Sequence, residues 1–87
     1  NPSYIFSQEI KSIVMKTLNQ LPEQTKKVFI MNRFENKSGK EIAQTLGISV
    51  KGVDYHMNKA LKELRAALKD YLPILTWLCF MNPINKG

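Results

Sequence analysis

The sequence predicts an all-α domain: a small right-handed bundle of four main helices that contains a helix-turn-helix, followed by a short apolar C-terminal segment. Three observations lead there. Nearly every apolar recurrence falls at a spacing of three or four residues, and no stretch alternates in the manner of a half-buried strand. Serines, prolines and a glycine stand where helix ends need capping or breaking. Finally, 87 residues with 44% apolar side chains, dispersed rather than blocked, suffice for one core and not for two. Residues 1–73 are therefore expected to form one domain, with 74–87 as an apolar extension of it.

In the first segment Ile10, Ile13, Val14, Thr17, Leu18 and Leu21 line one stripe, and Ser3 or Ser7 can cap the start, predicting a helix over about residues 5–20. "LPEQ" interrupts it. Pro22 suits the first turn of a second helix, and Glu23 lies at that helix's positive end. The second helix is expected over 23–36, with Val28, Phe29, Met31 and Phe34 inward and Ile30 as a further contact. Ser38 followed three residues later by Glu41 is a capping box that opens a short third helix, about 39–46, with Ile42, Ala43 and Leu46 facing the core. Gly47 ends it where a left-handed residue is needed, Ile48 plugs the turn and Ser49 caps the fourth helix. That helix is expected to reach Leu72, carrying Val53, Met57, Ala60, Leu61, Leu64, Ala67, Leu68 and Tyr71 at helical spacing until Pro73 stops it.

Lys and Arg outnumber Asp and Glu by 13 to 7, and the surplus is uneven: residues 26–40 hold Lys26, Lys27, Arg33, Lys37 and Lys40 against Glu35 alone. Such a local positive field favours phosphate-rich partners. The single cysteine, Cys79, permits no internal disulfide framework, and one histidine leaves no plausible metal site, so no cofactor is expected. One His, one Cys and no clustered acid pair also leave no catalytic constellation; the chain does not read as an enzyme. The longest apolar run, Ile74 to Met81, is broken by Thr76 and is far shorter than the ~20 residues that span a bilayer. The expectation is a cytoplasmic protein without membrane insertion. Because the chain begins Asn1-Pro2, it reads as a piece of a longer protein.

Ile42-Ala43, then Leu46-Gly47-Ile48-Ser49, then Val53 has the pattern of a helix-turn-helix. Two steeply crossing helices need a small residue at Ala43, a tight turn at Gly47 and anchors at Ile48 and Val53. The second helix then projects its first turns outward. At about 100° per residue, Lys51, Tyr55, Asn58 and Lys62 share one stripe, with Asp54 and Lys59 beside it, turned from the Val53/Met57/Leu61 seam. These are major-groove chemistries: Lys59 could donate to guanine, Asn58 could pair with adenine, Asp54 could accept from cytosine, and Tyr55 or Val50 could touch a thymine methyl. Ser49, Lys37 and Lys40 lie near two helix starts, where amides and ammonium tips can hold phosphates. His56 flanks the seam, where a phosphate or base contact and an ordinary half-exposed position fit equally.

The stretch "LPEQTKKVFIMNRFENKSGKEIAQTLGISVKGVDYHMNKALKELRAAL" resembles region 4 of bacterial sigma factors, the C-terminal DNA-binding domain of the sigma-70 family, and especially the extracytoplasmic-function group. The marks are "LPEQTKKVF" heading a helix, "S-x-x-EIA-x-x-L-x-x-S-x-x-x-V", and "KALKELR" after it; "KDYLPILTWL" is similar to the apolar ending of such factors from Bacteroides-like bacteria. The resemblance implies recognition of the minus-35 promoter element on RNA polymerase, attachment through the flap of the β subunit, and occlusion by an anti-sigma factor. It places Lys51, Tyr55, Asn58 and Lys59 in the groove and Ser49 at a phosphate. Gly52 stands where Thr is common, Gly39 where an aromatic is common, and Asp54-Tyr55-His56 where basic residues often stand. Two alternatives stay open: a response-regulator effector domain, which shares "KEIAQTLGISVKGV", and a protein-interaction module that docks through "YLPILTWLCFMNP", a segment that can equally fold back on the first two helices.

Overall fold

Four helices account for the architecture that the computed structural model describes, which covers residues 7–71: α1 (Gln8–Asn19), α2 (Glu23–Arg33), α3 (Gly39–Leu46) and α4 (Val50–Ala67). No strand occurs among the described residues. The candidate cap Ser3, the apolar extension 74–87 and Cys79 lie outside them.

Each helix start is explained by its cap. Ser7 begins α1, its Oγ accepting the Ile10 amide at 3.2 Å. The stripe of α1 tolerates Thr17 because its hydroxyl donates to the Ile13 carbonyl at 2.8 Å and is not left unsatisfied. Pro22 precedes α2 and contributes no side-chain cap. At α3 both halves of the capping box form: the Glu41 amide donates to Ser38 Oγ at 3.1 Å and the Ser38 amide donates to Glu41 Oε1 at 2.8 Å. Those bonds from Ser38, the backbone one foremost, hold the Glu41 carboxyl below the ordinary carboxylate range. Ser49 caps α4, accepting the Gly52 amide at 2.9 Å.

Between α3 and α4 the chain turns on Gly47, which is left-handed at φ 68°. The Ile48 amide reaches back to the Ala43 carbonyl at 3.1 Å, the six-to-one bond of a Schellman closure. The tight helix-turn-helix thus follows from a residue without Cβ, a backbone bond and a serine cap in succession.

α4 packs against all three other helices. Its seam of Val53, Met57, Ala60, Leu61 and Leu64 is buried, and Leu68 continues it; Val14 and Leu18 come from α1, Val28 and Phe29 from α2, Ile42 and Ala43 from α3. Ile48 and Tyr71 pack partly against this cluster.

Five expectations need correcting. α2 ends at Arg33 rather than 36, because Asn36 is left-handed at φ 57° and the Glu35 and Lys37 amides fold back to Ile30 and Met31 carbonyls. Phe34 consequently leaves the core stripe, exposed but with its ring edge-on to Phe29 at 6.2 Å. α4 ends at Ala67 rather than Leu72, and Ala67 faces outward. Arg33, counted with the surface cations, is buried at 3% exposure, and Thr25 is buried as well. Burial pushes the Arg33 guanidinium down to about 10, with the Arg65 charge adding to it, so it stays cationic at neutral pH.

Replacing Gly47 with Ala is expected to lower stability by about 1–2 kcal/mol, the cost of holding an L residue left-handed. Open space around the glycine means that no clash adds to this cost. Urea unfolding at constant slope would check it; an unchanged midpoint would contradict the role given to the turn.

Candidate nucleic-acid interface

The outward face of the helix-turn-helix carries two concavities. One, about 370 Å³, lies where α3 meets the start of α4 and is lined by Lys40, Ala43, Gln44, Ile48, Ser49 and Val50. The other, about 390 Å³, runs along α4 and is lined by Tyr55, Asn58, Lys59, Lys62 and Glu63. The fold therefore gathers Lys40, Ser49 and Val50 at one end and Tyr55, Asn58, Lys59 and Lys62 along the helix. Lys51 is exposed in the first turn. Two of the gathered side chains are apolar yet open to solvent, Val50 at 42% and Tyr55 at 59% exposure, an arrangement suited to apolar contact with a partner.

Lys37 stands apart from both concavities. It is half-buried in the α2–α3 loop, its carbonyl accepting from Asn32 Nδ2 at 2.9 Å, and its charge favours the nearby Glu41 carboxylate. Asp54 is half-buried on the flank. Lys26, one of the cations of the basic stretch, is bonded through Nζ to Asn19 Oδ1 at 2.6 Å.

His56 is turned toward α2: its Nδ1 is 2.8 Å from Thr25 Oγ1. Burial, and then the charge of Lys59 one turn on, push its pKa below the ordinary histidine value of 6.5. The ring stands edge-on to Tyr55, centroids 5.1 Å apart at 72°, and the Lys59 ammonium lies 5.7 Å from the centre of the Tyr55 ring. An ammonium at this distance is attracted to the ring face by roughly 0.5–1 kcal/mol at an exposed site.

Three participants were missed from sequence. Gln44 is exposed one helical turn after Lys40, a spacing that could have flagged it. Glu63 brings a negative charge among the lysines of the second concavity. Thr25 gave no signal, since its role depends on a residue 31 positions away.

Gly52 does not open a gap in the outward face. A Cβ placed there would meet Ser49 Oγ at 3.3 Å and Ile48 at 3.7 Å, so the missing side chain faces the turn.

Among the described residues there is no group of three or more His, Cys, Asp or Glu able to hold a metal, and no helix is long and apolar enough to cross a membrane. A helix-turn-helix whose second helix exposes amide, ammonium and aromatic groups opposite a buried seam defines the class of helix-turn-helix DNA-binding domains. Residues 11–64 match the model of the family described as sigma-70, region 4, and the chain belongs to that family. It is thus a non-enzymatic DNA-binding domain of a sigma factor, and membership implies promoter DNA and RNA polymerase as partners. This assigns the shared "KEIAQTLGISVKGV" motif to a sigma factor rather than a response regulator. Neither the curated proteins nor the solved structures contain a match to the chain.

The depressed pKa of His56 sets a pH dependence. The unfolded state binds the proton more readily, so the contribution is fully present above the ordinary histidine value and is lost as pH falls through the lower folded one. Stability is expected to decline on acidification below about pH 6.5 in the wild type and much less in His56→Gln. Urea midpoints measured at pH values above the carboxylate range isolate this effect from Glu41; parallel profiles would contradict it.

Proposed function

We propose that this chain is the C-terminal domain of an extracytoplasmic-function sigma factor and reads the minus-35 element of promoters while held on RNA polymerase by the flap of the β subunit. The observation that carries the reading is the convergence of Tyr55, Asn58, Lys59 and Lys62 along the outward face of α4, opposite the buried Val53, Met57 and Leu61. With α4 in the major groove, Asn58 pairs with adenine and Lys59 donates to guanine, while Tyr55 and Val50 meet thymine methyls. Asp54 and Lys51 flank these contacts, with Asp54 able to accept from a cytosine amino group.

Lys40, Lys37 and Ser49, near the starts of α3 and α4, hold phosphates on one side, with His56 a further phosphate or base contact. A domain with so few phosphate contacts binds non-specific DNA at roughly micromolar strength or weaker and with steep salt dependence. Attachment to the polymerase supplies the rest through effective concentration. An anti-sigma factor that covers the same outward face would silence it.

The test is a fluorescence anisotropy titration against a duplex selected from a randomised library by the wild-type chain and against its scrambled counterpart. Asn58→Ala and Lys59→Ala are each expected to reduce the ratio of the two affinities roughly tenfold. Lys37→Ala is expected to weaken both duplexes alike and to lower the salt slope by about one. If neither Asn58→Ala nor Lys59→Ala moves the ratio, α4 does not read bases through this face.

A further inference from the structure

We propose that Thr25, a buried residue of α2 out of reach of DNA, is a positioning residue for the base-reading side chains of α4. A hydroxyl placed in an apolar core costs free energy unless it is hydrogen-bonded, and a valine of the same shape would avoid that cost. Thr25 is fully buried, and its Oγ1 lies 2.8 Å from His56 Nδ1. Whichever atom carries the proton, this bond fixes the plane of the imidazole. The fixed ring stands edge-on to Tyr55, and the Tyr55 ring in turn holds the Lys59 ammonium at 5.7 Å.

The result is a continuous chain of contacts from the core to the exposed face: hydroxyl, imidazole, phenol ring, ammonium. Its last two members are the groups assigned to base contact, so the inference rests on that reading of the face. Its physical content is that a lysine, ordinarily a freely rotating point charge, is delivered to the groove in a restricted set of positions. Restriction before binding removes part of the ordering cost that the complex would otherwise carry. Discrimination among bases depends on position and gains most; attraction to phosphates depends on charge and gains little.

The experiment compares Thr25→Val, which keeps the shape and removes the hydroxyl, with Thr25→Ser, which keeps the hydroxyl. Both are titrated with the duplex selected by the wild-type chain and with its scrambled form. Thr25→Val is expected to reduce the affinity ratio by roughly three- to thirtyfold with little change toward the scrambled duplex, and Thr25→Ser to restore it. In the free protein, NMR should show the ¹⁵N signals of the His56 ring and the ring-current shifts of the Lys59 methylenes moving in Thr25→Val and recovering in Thr25→Ser.

Should Thr25→Val fail to fold, Thr25→Ala, which also removes the hydroxyl, takes its place in the same comparison with Thr25→Ser. A ratio unchanged in Thr25→Val, or lost equally in Thr25→Ser, overturns the inference while leaving the reading face intact. A wild-type chain that selects no sequence at all overturns the reading face itself.

Discussion

Everything in this domain rests on the seam of α4. Val53, Met57, Ala60, Leu61 and Leu64 form the surface on which α1, α2 and α3 all lie, so the orientation of each helix is set against the same row of side chains. Burying this seam is the main favourable contribution to folding, at roughly 1.5–3 kcal/mol for each large aliphatic side chain. It also fixes the rotation of α4 about its own axis. A helix clamped along one side has a determined opposite side, and in this chain that side is the one bearing Tyr55, Asn58 and Lys62.

Capping does the aiming along the other axis. Ser38 and Ser49 fix where α3 and α4 begin, and Gly47 between them allows the tight turn that presents the start of α4 at the surface. Ser49 also satisfies the Gly52 amide, one of the donors that the first turn of α4 leaves without a helical partner.

Most of this frame could be read from sequence because it is encoded locally. Apolar spacing, the Ser38/Glu41 box, Gly47 and the Ser49 cap each act within a few residues, and each appears where expected. What escaped prediction depends on distant contacts. Arg33 and Phe34 exchange the exposures expected of their types and α2 closes at Arg33, ahead of a left-handed Asn36, outcomes that helical periodicity does not encode. The face itself was legible as a set of types, but the placement of Lys59 over Tyr55 and the turning of His56 toward Thr25 are geometric facts with no signature in spacing.

Gly52 acquires a different meaning in this light. Its absent side chain would have faced Ile48 and Ser49, so what the glycine changes is the rigidity of the first turn of α4 and not its contact surface. Glycine makes local unwinding easier by roughly 1 kcal/mol relative to alanine. The stiff, seam-clamped body of the helix is thereby joined to a more compliant tip, and on the proposed reading that tip is the segment that would follow local variation in groove width.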